Sequence, residues 1–232
     1  MLCVGLVRIG PSLQGFWALW DRDDGRLLER TRPGRAGVRF GRAEVRVAAP
    51  ELELELAWVE QPGIEVVTPD GRGYAWTRKQ GGVPVHGTVR AAGGTARRVS
   101  AHGLVDDSAG YHARRTSWRW SAGVGTARDG RAVAWNLVAG VHDDPRASER
   151  TVWVEGEPHE LGPARFADDL SSVTVGDDEL GFAAEATRER HDNLLVVRSD
   201  YVQPFGTFAG ALPVAGELAE GYGVMERHEV LW

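Results

Sequence analysis

The stretch that most restricts the fold is Glu51–Glu60, ELELELAWVE. Leu52, Leu54, Leu56 and Trp58 recur at every second position, with Glu51, Glu53 and Glu55 between them. A period of two puts the apolar set on one face and the glutamates on the other, which is the pattern of a half-buried antiparallel strand. No segment keeps a helical period over a comparable length. Turn signals instead break the chain roughly every ten residues, as in barrels and sandwiches. The expected fold class is all-β, as a barrel or two packed barrels.

Other strands follow the same reading. Met1 opens directly into one, and FWALWD (Phe16–Asp21) precedes a turn at Asp23-Asp24-Gly25. Ile64–Val67, a Pro69-Asp70-Gly71 turn and Tyr74–Arg78 come next, and Val83–Arg90 is expected to pair back across Gly81-Gly82. Arg131–Ala139 is apolar on both faces and reads as an interior strand. Thr151–Val154 and Glu157–Leu161 flank a tight Glu155-Gly156 turn. Leu180–Ala186 alternates, although FAAEATRERH has a helix-friendly composition. Leu194–Ser199, Phe205–Leu212 and Val224–Leu231 complete the chain. A turn at Asp106–Gly110 is the candidate boundary, dividing the chain into 1–106 and 107–232.

Composition narrows the function. A chain of 232 residues buries roughly 70% of its unfolded surface and needs no staples. A net charge of −6 argues against a general nucleic-acid binder, which needs a basic face. Lys79 is the only lysine, and the arginines are scattered rather than clustered. One cysteine, Cys3, permits no internal disulfide and fits a reducing compartment. MLCVGLVRIG lacks a basic lead and is interrupted by Arg8, so neither a signal peptide nor a membrane span is expected, and the cytoplasm is the default location. No zinc, phosphate-loop, nucleotide or serine-elbow motif occurs, and the seven histidines are dispersed. Neither a metal nor a cofactor is therefore expected.

The richest window for chemistry is Gly103–Gly125. Five Asp-Asp pairs occur in the chain, and three sit in turns with Gly or Pro, where Asp serves the backbone. Adjacent residues on a strand face opposite ways, so no pair is itself a dyad. Asp106-Asp107 and Asp168-Asp169 lie between apolar segments and are expected to turn one carboxylate inward. Trp118 and Trp120 share one face and Arg119 takes the other. Such tryptophans are most often core residues, and otherwise form a wall for an apolar ligand. Tyr111 and His112 precede that strand, where His suits proton transfer near neutral pH. Lys79 lies in a polar strand end. Asn136 is expected to be buried and to need partners. Glu226 and His228 share a face of the last strand, where a hydrogen bond across it is open to them, although Glu–His pairs of this kind are routine on surfaces.

Several segments resemble bacterial proteins of a family called domain of unknown function 2804. They are YAWTRKQGGVP, DDSAGYHARRTSWRWSAGVG, VAWNLVAGVHDDPRASERTVWVEGEPHELGP, FADDLSSV, NLLVVRSDYVQPFGTFAG and GYGVMERHEVLW. The resemblance implies a lipocalin-like antiparallel barrel fold in two tandem halves. Its distant cousins include carotenoid hydratases and cofactor-free cyclases acting on apolar substrates. Such proteins carry a longer N-terminal portion, so the first half is expected to be shortened and to expose an edge.

The function expected is binding of an apolar or amphipathic small molecule, with cofactor-free hydration, isomerisation or cyclisation if the protein is an enzyme. Asp107, Tyr111 and His112 would then handle protons, while Lys79, Arg114 and Arg115 hold a polar end. Trp76, Trp118 and Trp120 would form the wall, with Asn136, Glu226 and His228 completing the binding set. A carrier or sensor with the same pocket is the alternative, recognisable by polar side chains that satisfy one another. A carbohydrate site ranks last, because no strand face carries paired acids.

Overall fold

The computed structural model describes residues 1–70, 73–144, 146–194 and 197–231. Gly71, Pro145, Leu195 and Val196, which fall in expected turns or strands, lie outside the described residues. Every regular element among the described residues is a strand, and every pairing between named strands is antiparallel wherever its register is defined. No helix there is long and apolar enough to cross a membrane.

The chain divides into two compact units. One comprises Met1–Glu60 and Val83–His102, the other Gln61–Gly82 and Gly103–Trp232. The first unit holds β1 (Leu2–Ile9), β2 (Ser12–Asp21), β3 (Arg26–Pro33), β4 (Val38–Gly41), β5 (Glu44–Ala49) and β6 (Leu52–Trp58). β1, β2 and β3 form one sheet, and β4, β5 and β6 extend another. The alternation in β6 is realised as read: Leu52, Leu54 and Leu56 are buried with Trp17, Val38 and Val47. The intervening glutamates face water and pair with arginines of this unit, Glu51 with Arg30 and Glu53 with Arg90.

β7 (Ile64–Asp70), β8 (Gly73–Ala91) and β9 (Arg97–Gly110) follow, and the division between units falls inside β8 and β9. Gly81-Gly82 is not a hairpin turn. β8 runs unbroken through it, pairing with β7 before the glycines and with β6 after them. Gly81 lacks a side chain because a Cβ there would stand 2.2 Å from Trp153 Cε3. Gly82 takes φ +69°, a value open to glycine at little cost. The pair therefore marks a close approach and a kink, which a strand tolerates at glycine. Asp106–Gly110 is likewise strand, the end of β9, where a turn was expected.

The second unit is built on β10 (Arg115–Ala127), β11 (Ala132–Ala139), β14 (Thr151–Val154), β15 (Glu157–Glu160), β16 (Ala164–Phe166), β17 (Ser172–Val175), β18 (Asp178–Leu194), β19 (Val197–Leu212) and β20 (Gly216–Leu231). Two short strands, β12 (Asp143–Asp144) and β13 (Ala147–Ser148), pair with each other and contact β7. The nine-stranded sheet has the order β15-β14-β11-β10-β20-β19-β18-β17-β16, and it curls enough for β11 to touch β16. Glu155 and Gly156 both have positive φ, 52° and 83°, and make the two-residue hairpin expected between β14 and β15. β18 is a strand along its whole length, so tertiary pairing with β17 and β19 overrides the helix-friendly composition of FAAEATRERH.

The sheet's two faces differ. Trp135, Leu137, Met225 and Phe208 point to one side, into a cluster with Val152, Leu180 and their neighbours. The alternate residues Asn136, Trp118, Trp120, Glu226 and Gln203 point to the other.

Candidate functional site

The polar face begins with β10. Strand alternation sets Trp118 and Trp120 side by side, and each indole N–H finds an acceptor on the adjacent strand. Trp118 Nε1 donates to Glu226 Oε1 at 2.7 Å, and Trp120 Nε1 to Asn136 Oδ1 at 2.8 Å. Asn136 is fully buried in β11 and uses its amide nitrogen on Glu149, donating to the backbone oxygen at 2.9 Å and to Oε1 at 3.4 Å. A buried amide thus has both ends occupied, as burial requires.

Lys79 reaches the same place from β8. Thr77 and Lys79 alternate with Trp76 and Arg78, so the first pair is buried and the second points outward. Lys79 Nζ lies 2.6 Å from Asp106 Oδ2, 3.4 Å from Glu149 Oε1 and 6.0 Å from the Trp120 ring centre. Burial pulls this ammonium's pKa down, but the two carboxylates more than offset it and hold it above the ordinary lysine value. His142 borders the group. Burial lowers its pKa, and the charges of Glu149, Lys79, His112 and Asp106 act on it in opposing directions. Its Nδ1 is 3.2 Å from Thr68 Oγ1, and its ring stands edge-on to His112 at 5.9 Å.

A second acid lies beyond the tryptophans. Glu226 is buried and accepts from Trp118 Nε1, from Tyr201 OH at 3.1 Å and from Gln203 Nε2 at 2.9 Å. Desolvation raises its pKa despite those donors and the nearby Arg188 guanidinium, and the charge of Asp106 adds to the rise. Asp106 and Glu226 are therefore within electrostatic reach of each other. Arg188, itself buried, bonds Tyr201 OH and Gln203 Oε1, each at 3.4 Å. His228 does not pair with Glu226: two strand steps separate them by about 7 Å, and His228 Nε2 instead meets Ser199 Oγ at 2.8 Å. Packed against Trp118 and Tyr201, His228 has a pKa lowered by burial to about 4.

The structure thus brings together Lys79, Trp118, Trp120, Asn136, Glu226 and His228 from the residues singled out in the sequence. It places the others differently. Asp107, Arg114 and Arg115 are exposed, and Tyr111 is exposed against Tyr74. His112 is exposed at the rim, beside His142. Trp76 is on the outer face of β8, bonded to Glu65. Of Asp106-Asp107, Asp106 is the one that meets Lys79. Asp168 stays exposed and pairs with Arg119. Sequence reading missed Glu149, His142, Tyr201, Gln203 and Arg188. Tyr201, Gln203 and Phe205 alternate within YVQPF, so a polar residue at an inward position was visible there. Glu149 and His142 sit in irregular segments around β12 and β13, with no periodicity to expose them. No group of His, Cys, Asp and Glu among the described residues is arranged to hold a metal ion. The Lys79 ammonium already stands between the carboxylates where a cation would bind.

Residues 27–232 match the family described as Domain of unknown function (DUF2804). Kievitone hydratase from Nectria haematococca superposes with a TM-score of 0.65 at 10% identity, over 100% of this chain and 83% of that one. A protein from Nitrosomonas europaea provisionally assigned as AttH superposes with a TM-score of 0.59 at 14% identity, over 95% and 82%. At such identities the likeness establishes the lipocalin-like all-β fold. Searched against curated proteins, the sequence matches none.

Proposed function

The chain belongs to the DUF2804 family, and on that premise we propose that it binds an apolar, alkene-bearing small molecule and adds water to it without a cofactor. The observation that carries this reading is a pair of buried carboxylates in contrasting surroundings, Glu226 on the polar sheet face and Glu149 bonded to Asn136 of that face. Glu226 is pushed toward its protonated form by burial, while Glu149 lies against the Lys79 ammonium. A buried acid whose pKa is raised suits proton donation, and the carboxylate beside the fixed ammonium is the candidate acceptor. Trp118 bonds Glu226 and Trp120 bonds Asn136, which in turn bonds Glu149, and the two rings offer aromatic surface to an apolar substrate and to the positive charge that develops on it.

The step balances. The alkene π pair takes the Glu226 proton and forms a C–H bond, leaving a cationic carbon. A water lone pair closes the C–O bond there, and the displaced water proton goes to Glu149. One proton has then moved from Glu226 to Glu149, and solvent exchange returns it. We assign that return to His112 and to His142, whose rings meet edge-on at 5.9 Å. The name of the hydratase that shares the fold is consistent with this chemistry and does not by itself assign it here.

The test is incubation with a panel of isoprenoid and aromatic alkenes in heavy-oxygen water, followed by mass spectrometry. Gain of one labelled water, abolished in Glu226→Gln, is the expected result. No product from any alkene, with the ligand bound and released unchanged, would replace hydration by the carrier reading. One observation favours that second reading: Glu226 and Asn136 have their polar atoms satisfied by neighbouring protein groups.

A further inference from the structure

Two buried polar atoms have no hydrogen-bond partner: Oε2 of Glu149, whose other oxygen meets the Lys79 ammonium, and Oγ1 of Thr77, on the same face of β8 as Lys79. Both residues are almost wholly inaccessible, with 2% and 0% exposure. Thr77 is two residues before Lys79 on the same inward face of β8, and Glu149 Oε1 touches the Lys79 ammonium. A third unpartnered group, Trp153 Nε1, belongs to the ring that covers Gly81, two residues after Lys79 on that face. Leaving buried polar atoms unpaired is costly, and Glu149 Oε2 belongs to the carboxylate that touches the Lys79 ammonium.

We propose that Glu149 Oε2 and Thr77 Oγ1, with the Lys79 ammonium, form a binding site for a single water molecule. A water gives two hydrogen bonds and accepts two, and enclosed waters typically meet two to four polar partners. Glu149 Oε2 accepts one of its protons, Lys79 donates to its oxygen, and the Thr77 hydroxyl takes either role. On the hydration reading above, this water is the co-substrate. Its oxygen becomes the hydroxyl of the product, and Glu149 is the base that accepts its proton. Thr77 is then a positioning residue, since it orients the water without taking part in proton transfer.

A high-resolution crystal structure of the full chain tests the site directly. A water oxygen within about 3 Å of Glu149 Oε2 and Thr77 Oγ1 is expected, with that water lost or displaced in Thr77→Val. A dry gap, or Glu149 Oε2 bonded to another protein group, overturns the proposal whatever the activity. Kinetics then separate the site from the reaction. Glu149→Gln is expected to lower kcat by about 100-fold or more, the usual contribution of a general base, with the base limb of the pH profile removed. Thr77→Val should lower kcat by about tenfold and leave that limb in place, while Thr77→Ser restores the rate. An ordered water combined with no hydration of any alkene keeps the site and removes the reaction. Hydration that persists at full rate in Glu149→Gln removes Glu149 as the base.

Discussion

The two faces of the nine-stranded sheet are made by alternate residues of the same strands, yet they follow opposite rules. Leu137 and Met225 are buried among aliphatic and aromatic side chains, and any similar volume would serve there. Their immediate neighbours, Asn136 and Glu226, are as deeply buried but are held by specific hydrogen bonds. Apolar burial is non-directional and tolerant. Polar burial is stable only when donors and acceptors match, so it fixes identity and geometry together. One step along a strand is enough to pass from one regime to the other.

The sharpest way to break this contrast is Lys79→Met. It leaves the Asp106 and Glu149 carboxylates without their cation, and stability is expected to fall by about 3–5 kcal/mol in urea unfolding. Adding Glu149→Leu should recover part of that loss, because removing both members of a buried pair costs less than removing one. Failure of the double variant to recover would mean that packing around Lys79, rather than charge, holds the site. On the apolar face, Leu137→Ala should cost about 3 kcal/mol by the same measurement and Leu137→Met under about 1.5.

Next in size is a pH effect. The unfolded His228 imidazole titrates near 6.5 and the folded one near 4. Between these values the unfolded chain binds the extra proton, so stability is complete above about 6.5 and falls as pH drops toward 4. The loss attributable to this group is roughly 3 kcal/mol, and His228→Gln should flatten that part of the profile. Glu226 acts in the opposite sense. Its raised pKa means that its contribution is present at low pH and is lost as pH rises through the folded value. Glu226→Gln should therefore leave the fold intact and remove that decline. The smallest effect belongs to the exposed glutamates of β6: Glu53→Gln, which breaks a surface pair with Arg90, should change stability by about 0.5 kcal/mol or less.

Much of the fold was legible because strand alternation is a local property. ELELELAWVE, RAVAWNLVA and the Glu155-Gly156 hairpin each carried their structure in neighbouring residues. The failures have an equally specific cause. Gly81-Gly82 reads as a turn because glycine pairs usually are, yet here the glycines make room for the Trp153 ring, a group seventy residues away in the chain. FAAEATRERH reads ambiguously because helix propensity is local and the β17 and β19 partners that overrule it are not. In the site, period-two logic correctly paired Trp118 with Trp120. The same logic applied to β8 would have placed Trp76 and Lys79 on opposite faces, since they stand three positions apart.

The sequence by itself determined the all-β class, the positions of most strands, the shared face of Trp118 and Trp120 and the burial of Asn136, because each follows from hydrophobic period and composition within a few residues. Only the tertiary structure decided that Asp106 rather than Asp107 meets Lys79, that Glu149 joins them, and that Glu226 is held by Tyr201 and Gln203 rather than by His228. Those partners come from strands and loops far apart in the chain. Which carboxylate is buried, and how its proton is held, depends on desolvation and on charges a few ångströms away, and no local pattern encodes either.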